Sequence, residues 1–591
     1  MWISDVMELV RALWRARITF FWPIWIASAV MGALGVALVV GHASTPIISK
    51  GSITPERRQV WTRNAVAAMI SLCVFLGCYV SLIPIWEDFC YPDNSMFTLS
   101  TLRGENLGPP IWPQNGRFFP LGHQEFNLIR RITGTVIGYH VFPIIELFIL
   151  CSILLILDGE LRITSRVCLT AIVLATPSVV ISFGGLIYDE RNLALSLVCM
   201  VFCAKRFQQT FSTRWAVATS VCAQIMVYYK ETAFLLVWGF AAGSLIWHCW
   251  NREKRGWDLN RLRDKESRLN LCLFSIGFLF LLYYLAVMLP HFNVRYANDH
   301  RIPGAEVVGD YFKLDLLAWL FLALFIRRSY MILRGRVEPS PLWEGLAFGG
   351  AAYFVSYLYL GMYSGYYLAP VDLIAVLYVG RWAFMSWERR GLVTKVAITV
   401  SVVAILIQDV SLSAFRVFER KNVIHGKAEI ARVVKLQFQR SAGNPQRIFF
   451  PFSSPYSVME FAAYLSYRGV PVEGGPDDTT GMSHVVLVRR APAKIGPCVD
   501  YKRILCHAAT SPGAGDLVIV MPDDGASAAD IAPYRDGGEP LLSYEPYPPI
   551  PQWMSPLLNY LHVVSYAFPN KKLPDRWLHA SVVMWNQSGN R

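Results

Sequence analysis

Three carboxylates fall within seven residues in the run Trp86-Glu87-Asp88-Phe89-Cys90-Tyr91-Pro92-Asp93, directly after an apolar stretch. Carboxylates at a membrane interface act as general bases, or hold a cation, when they converge. Further along come Gln114-Asn115-Gly116-Arg117-Phe118-Phe119-Pro120 and Gly122-His123-Gln124-Glu125-Phe126. Aromatic residues between these polar groups suit a segment lying on a membrane surface. Asp189 with Glu190, Lys230 with Glu231, Tyr366 with Tyr367, and the cations Arg295, His300 and Arg301 complete the chemistry-bearing set. Acids and cations gathered at one membrane face fit a reaction on an anionic lipid headgroup. A base would activate an acceptor hydroxyl, and the cations would hold a phosphate leaving group. Each group also has a plainer reading: solvated loop charge for the acids, snorkelling beside Glu231 for Lys230, and the interfacial aromatic belt for Tyr366 and Tyr367.

The elements that position these residues follow from composition. Of 591 residues 54% are hydrophobic and only 16% are charged, against about 25% charged in soluble domains. A soluble enzyme, a disordered chain and a small disulfide scaffold are thereby excluded. Apolar stretches at 18–41, 65–86, 137–157, 164–187, 192–204, 215–229, 232–249, 270–289, 313–326, 343–360, 367–385 and 393–412 predict 11 to 13 spans. The fold class expected is mainly α: a polytopic transmembrane helical bundle with a small C-terminal α/β domain. The net charge of +13 reflects basic cytoplasmic loops. No basic stripe with stacking aromatics lies in a soluble segment, so nucleic acid is not an expected partner. Nine of the twelve cysteines lie in or beside apolar runs and act as small hydrophobes, and no CxxC pair occurs.

Charge sets the orientation. Arg162 and Arg166 precede, and Lys205 and Arg206 follow, a stretch whose centre is Tyr188-Asp189-Glu190-Arg191. Basic ends on both sides make it a hairpin with an acidic outer apex. Arg214 and Arg252-Glu253-Lys254-Arg255 bracket a second apex at Tyr229-Lys230-Glu231-Thr232. Arg334, Arg336, Arg389 and Arg390 bracket a third at Met362-Tyr363-Ser364-Gly365-Tyr366-Tyr367. Alternation then puts 87–136, 290–312 and everything after about 413 outside the cytoplasm. Residues 1–64 form an N-terminal segment in which both ends of 18–41 read as cytoplasmic; a true span is preferred there to a re-entrant one.

The texture changes near residue 425. Arg447-Ile-Phe-Phe-Pro-Phe452, Val485-Val-Leu-Val488 and Asp516-Leu-Val-Ile-Val-Met521 read as strands and 457–468 as a helix, which predicts a small α/β domain over 425–591. Cys498 and Cys506 are candidates to pair in an oxidising compartment.

The order of Trp86-Glu87-Asp88-Phe89, then Asn115-Gly116-Arg117-Phe118, then Lys230-Glu231-Thr232-Ala233 resembles bacterial glycosyltransferases of the GT-C superfamily, over roughly 65–385. The resemblance implies a membrane domain over 65–412 in the inner membrane, with a large outer loop at 87–136 and an extracytoplasmic tail. It also implies inverting transfer of a sugar from a polyprenyl-phosphate donor to a glycan, glycolipid or protein acceptor. Asp88 matches the family's catalytic base, with Glu87 its rival. Lys230 is the expected phosphate contact, followed by Arg295 and Arg117. Asp189, Glu190, Glu231, Tyr366, Tyr367 and His123 are expected at the acceptor or sugar. No cofactor is demanded; a divalent cation, if present, would be shared by Asp88 and Asp189. The rival readings are a transporter or flippase of a lipid-linked precursor, which would use an acid such as Glu146 inside the bundle, and a structural subunit anchored by its spans.

Overall fold

The computed structural model describes residues 94–112, 116–253, 256–288, 303–385, 391–441, 445–473, 485–490, 506–524, 526, 528–544 and 580–585. Glu87, Asp88, Arg295, Cys498 and the expected spans 18–41 and 65–86 lie outside the described residues. The chain divides into two compact units.

The first unit holds residues 108–125 and 141–413. The helices met along the chain are α1 (Asn94–Leu102), α2 (Gln124–Ile132), α3 (Val136–Leu157), α4 (Ile163–Ala175), α5 (Pro177–Gly184), α6 (Asp189–Thr210), α7 (Thr213–Tyr229) and α8 (Ala233–Cys249). They continue with α9 (Lys265–Met288), α10 (Gly304–Leu314), α11 (Leu316–Leu333), α12 (Pro341–Leu360), α13 (Ala369–Met385) and α14 (Leu392–Arg440). Among the described residues, five helical stretches are long and apolar enough to cross a membrane: 138–157, 265–286, 316–333, 365–385 and 392–413.

The stretch expected as one span at 164–187 is two helices, α4 and α5, bent by 67°. Pro177 opens the second helix; lacking an N–H and disfavouring the α conformation at Thr176, it suits a helix start rather than a helix interior. If the bent pair counts as one span the total is six. The expected 11 to 13 exceeds this partly because α8, though apolar, has only 17 residues, about 26 Å of helix.

Glycine sets the closest helix packing. In α8 and α12 the pairs Gly239/Gly243 and Gly345/Gly349 recur every four residues and meet in antiparallel register. A Cβ on Gly239 would lie 2.7 Å from Gly349 Cα, and one on Gly349 would lie 2.6 Å from the Leu236 carbonyl oxygen. Small residues at this spacing let helix backbones touch. Gly349→Val is expected to cost about 3 kcal/mol, the upper end for overpacking, read as a lowered midpoint of thermal unfolding. Gly309→Ala in α10, where nothing lies within 4 Å of the added Cβ, is the control, expected to hold or raise the midpoint because alanine is the better helix former by about 1 kcal/mol.

Several polar groups buried among these helices find partners. Asp315 caps α11, its Oδ1 accepting from the Ala318 N–H at 2.9 Å, and Ser178 donates to Asp372. Glu344, fully buried, accepts from Arg328 Nε at 2.5 Å and from the Tyr378 hydroxyl at 2.6 Å. Lys205 and Arg381 converge on Asp158.

The second unit holds residues up to Leu107, 126–140 and the chain from 414 onward. Beyond α14 come β5 (Gln446–Phe450), α15 (Pro455–Tyr467), β6 (Val485–Arg490), β7 (Cys506–Ala509), β8 (Leu517–Val520), α16 (Ala528–Asp536), β9 (Gly538–Tyr544) and β10 (Ala580–Trp585), counting the two-residue strands of the first unit, 111–112, 117–118, 250–251 and 256–257, as β1 to β4. The sheet order is β7-β6-β5-β8-β10-β9. β7, β6, β5 and β8 are parallel, whereas β10 and β9 are antiparallel additions. The period of two sends Ile448 and Phe450 to one face, against α15 and the C-terminal turns of α14, and Phe449 to the other, near Tyr534. The three strands expected from sequence are β5, β6 and β8. The helix α14 was not anticipated in full, because it runs without interruption through the point at residue 425 where composition changes.

Candidate functional site

The site is built in the first unit from four separate stretches: the 116–125 loop, the turn entering α6, the α7–α8 turn, and the loop after α12.

The 116–125 loop is anchored from several sides. Tyr284 donates to the Gly116 carbonyl at 2.8 Å, and the Leu121 N–H donates to the Tyr228 carbonyl at 3.0 Å. Phe118 is buried against Tyr228, Phe280 and Tyr283. Next to this anchor the backbone turns through the left-handed region at His123, φ 59°. A Cβ on the preceding Gly122 would lie 2.3 Å from the Phe119 ring and 3.0 Å from Asp189 Oδ2, so only glycine admits this approach. The His123 N–H then donates to Asp189 Oδ1 at 3.3 Å, with the ring Nδ1 3.6 Å from the same oxygen.

Lys230, at the C-terminus of α7, lies 2.8 Å from Glu190 Oε1 and 5.0 Å above the ring of Tyr367. Tyr367 stacks on Tyr357 at 4.8 Å and meets Tyr366 edge-on at 4.6 Å, and Tyr366 lies 4.5 Å from Tyr188. The Tyr357 hydroxyl is 3.2 Å from both Thr232 Oγ1 and the Tyr353 hydroxyl. This register follows from the glycine contacts lower down, which fix the slide of α8 against α12.

Arg117 pairs with Glu231 at 2.5 Å and covers the Phe119 ring at 4.5 Å. These contacts tie the 116–125 loop to the α7–α8 turn. Glu231 is likewise engaged by Arg117.

Beneath this layer Arg191 joins two carboxylates. Its guanidinium reaches Glu125 Oε1 at 3.0 Å and Glu146 Oε2 at 2.5 Å, and donates to the carbonyls of Gly185 and Leu186 at 2.9 and 2.7 Å. Asn192 adds a bond to Glu125 at 3.1 Å. Glu146, the acid inside the bundle that a transporter would use, is thus committed to a buried ion triad. Neither Arg191 nor Glu125 was singled out from sequence. The available signal was Glu146 itself, since an acid within an apolar helix demands a partner, and Arg191 is the cation of the nearest apex.

Burial dominates the electrostatics. It lowers His123 from 6.5 to about 4, so the ring is neutral at pH 7. It raises Asp189 from 3.8 to about 7, with the adjacent Glu190 adding to the effect. It raises Glu125 against the pull of Arg191. Burial alone would lower Lys230, but Glu190 together with Tyr357 and Tyr367 outweighs it and holds the ammonium well above the ordinary lysine range. The result is a charged pair, Lys230–Glu190, beside a carboxyl able to take up or release a proton near neutral pH.

Of the residues expected from sequence, Arg117, His123, Asp189, Glu190, Lys230, Glu231, Tyr366 and Tyr367 therefore all belong to one contiguous cluster. Asp88, Glu87 and Arg295 are outside the described residues. Among the described residues no group of three or more His, Cys, Asp or Glu side chains could hold a metal ion. No protein-family model, no curated protein and no solved structure matches the chain.

Proposed function

We propose that the protein is a polytopic membrane glycosyltransferase, moving a sugar with inversion from a polyprenyl-phosphate donor to an acceptor hydroxyl outside the cytoplasm. The observation that carries this reading is the meeting of Asp189, Glu190, Lys230 and Tyr367, from three separate apices, beside the loop that includes Arg117 and His123. In the reaction the acceptor oxygen attacks the anomeric carbon and its proton passes to a carboxylate. The bond from carbon to the phosphate oxygen breaks, and the lipid phosphate departs with the electron pair. Lys230 supplies the positive charge that the leaving phosphate needs, and Tyr366 and Tyr367 offer aromatic faces to a sugar ring. Two carboxylates compete for the base. Asp88 holds that role by family resemblance, and Asp189 is suited to it by a pKa near neutrality.

The test is transfer by the purified full-length protein from a polyprenyl-phosphate sugar to candidate acceptors. Removing a general base costs about 100- to 10,000-fold in rate. Should Asp189 be the base, the rate of wild type climbs as pH rises through about 7, and Asp189→Asn abolishes both rate and pH dependence. If Asp88 is the base, Asp88→Asn carries the loss instead. Stability runs the other way: a carboxyl raised above its unfolded value favours the native state at low pH, and that contribution disappears between about 4 and 7 as the unfolded chain releases its proton first. Transport of an unmodified lipid, indifferent to both substitutions, would overturn the enzyme reading.

A further inference from the structure

The opposite, basic end of the first unit carries a second site. An apolar groove of about 330 Å³ runs between α4, α11, α13 and α14, walled by Leu169, Leu324, Gly380, Ala397 and Ile405, with almost no polar surface. Gly380 lets the wall close, since a Cβ there would meet Leu169 at 2.0 Å. From Thr394 to Leu406 the groove follows thirteen residues of α14, a rise of about 18 Å, which is close to one leaflet of a bilayer core about 30 Å thick. Leu324 and Trp382 line this groove and also a pocket of about 90 Å³ that contains Arg327 and Arg328.

The two arginines differ. Arg328 is bound to the buried Glu344, as Arg381 nearby is bound to Asp158 and Glu160. Arg327 is exposed and stacks on Trp382, its guanidinium carbon 5.8 Å from the ring centroid, with no carboxylate partner among the described residues. An apolar slot one leaflet long that ends at an exposed guanidinium resting on Trp382 complements a molecule with a hydrocarbon tail and an anionic head. A basic pocket between helices on the side of the basic loops is a recognised setting for acidic lipids.

We propose that this groove and the Arg327 pocket bind one acidic glycerophospholipid of the surrounding bilayer, its acyl chain along α14 and its phosphate at Arg327. The site lies on residues separate from the Lys230 cluster and does not depend on the transfer reaction.

The experiment uses the full-length protein in mild detergent, with bound lipid counted by native mass spectrometry after titration with phosphatidylglycerol, phosphatidylethanolamine or polyprenyl phosphate. Wild type is expected to retain one phosphatidylglycerol, at least tenfold more tightly than phosphatidylethanolamine. Arg327→Gln, at an exposed position, is expected to erase that preference while leaving the thermal unfolding midpoint of the lipid-free protein unchanged. Ala397→Trp, which fills the slot, is expected to reduce retention of both phospholipids. Equal retention of the two phospholipids by wild type, or an undiminished preference in Arg327→Gln, overturns the proposal. So does displacement of phosphatidylglycerol by equimolar polyprenyl phosphate, which would identify the occupant as the isoprenoid lipid.

Discussion

Arg191→Met is expected to lower stability by about 3–5 kcal/mol, the cost of stranding buried charges, and with total stabilities of about 5–15 kcal/mol that removes much of the margin. The side chain is 1% exposed and serves two carboxylates and two carbonyls at once. Its loss leaves Glu125 and Glu146 without their cation. Arg191→Lys should fare little better, because an ammonium is a compact point charge and cannot span four acceptors arranged for a planar fork. The check is the thermal unfolding midpoint in detergent. The triple variant Arg191→Met, Glu125→Gln, Glu146→Gln should regain a large part of the loss, and failure to regain any would mean that the triad is not the source.

Lys230→Met is expected to reduce transfer by at least 100-fold, the usual effect of removing one group that stabilises a developing anion. The difficulty is that Glu190 would be stranded as well, so lost activity alone would not separate chemistry from folding. Pairing the change with Glu190→Gln removes the stranded charge. The double variant should then unfold near the wild-type temperature yet remain inactive, with donor binding weakened more than acceptor binding. Recovery of transfer together with stability would dismiss Lys230 from the reaction and leave it a structural ion pair.

How much of this could be read from the sequence depends on whether the signal was local. The apices at 188–191, 229–232 and 362–367 were legible because basic residues flank each hairpin on both sides, and alternation gave the expectation that they share one side. That Lys230 meets Glu190, and Tyr366 meets Tyr188, was legible only as a shared side. The pairings depend on how far α8 slides against α12, and the glycines that decide it gain meaning only once their partners across the interface are known. Arg117 was named from sequence as a cation of the first loop, but its pairing with Glu231 is a fact of three dimensions. In the C-terminal unit β5, β6 and β8 announced themselves as dense apolar runs, as strands buried on both faces do. The edge strand β9, with Pro540 and several half-exposed positions, gave no such signal.

The left-handed turn at His123 bears on how fast the proposed transferase would meet its substrates. A side chain other than glycine in that conformation carries a strain of about 1–3 kcal/mol, and the packing of Phe118, Phe119 and Tyr228 sustains it permanently. That energy is committed once, when the chain folds, and not again with every arriving molecule. The fold itself thus holds the His123 amide on Asp189, and under the proposed transfer reaction association would need no ordering of this turn.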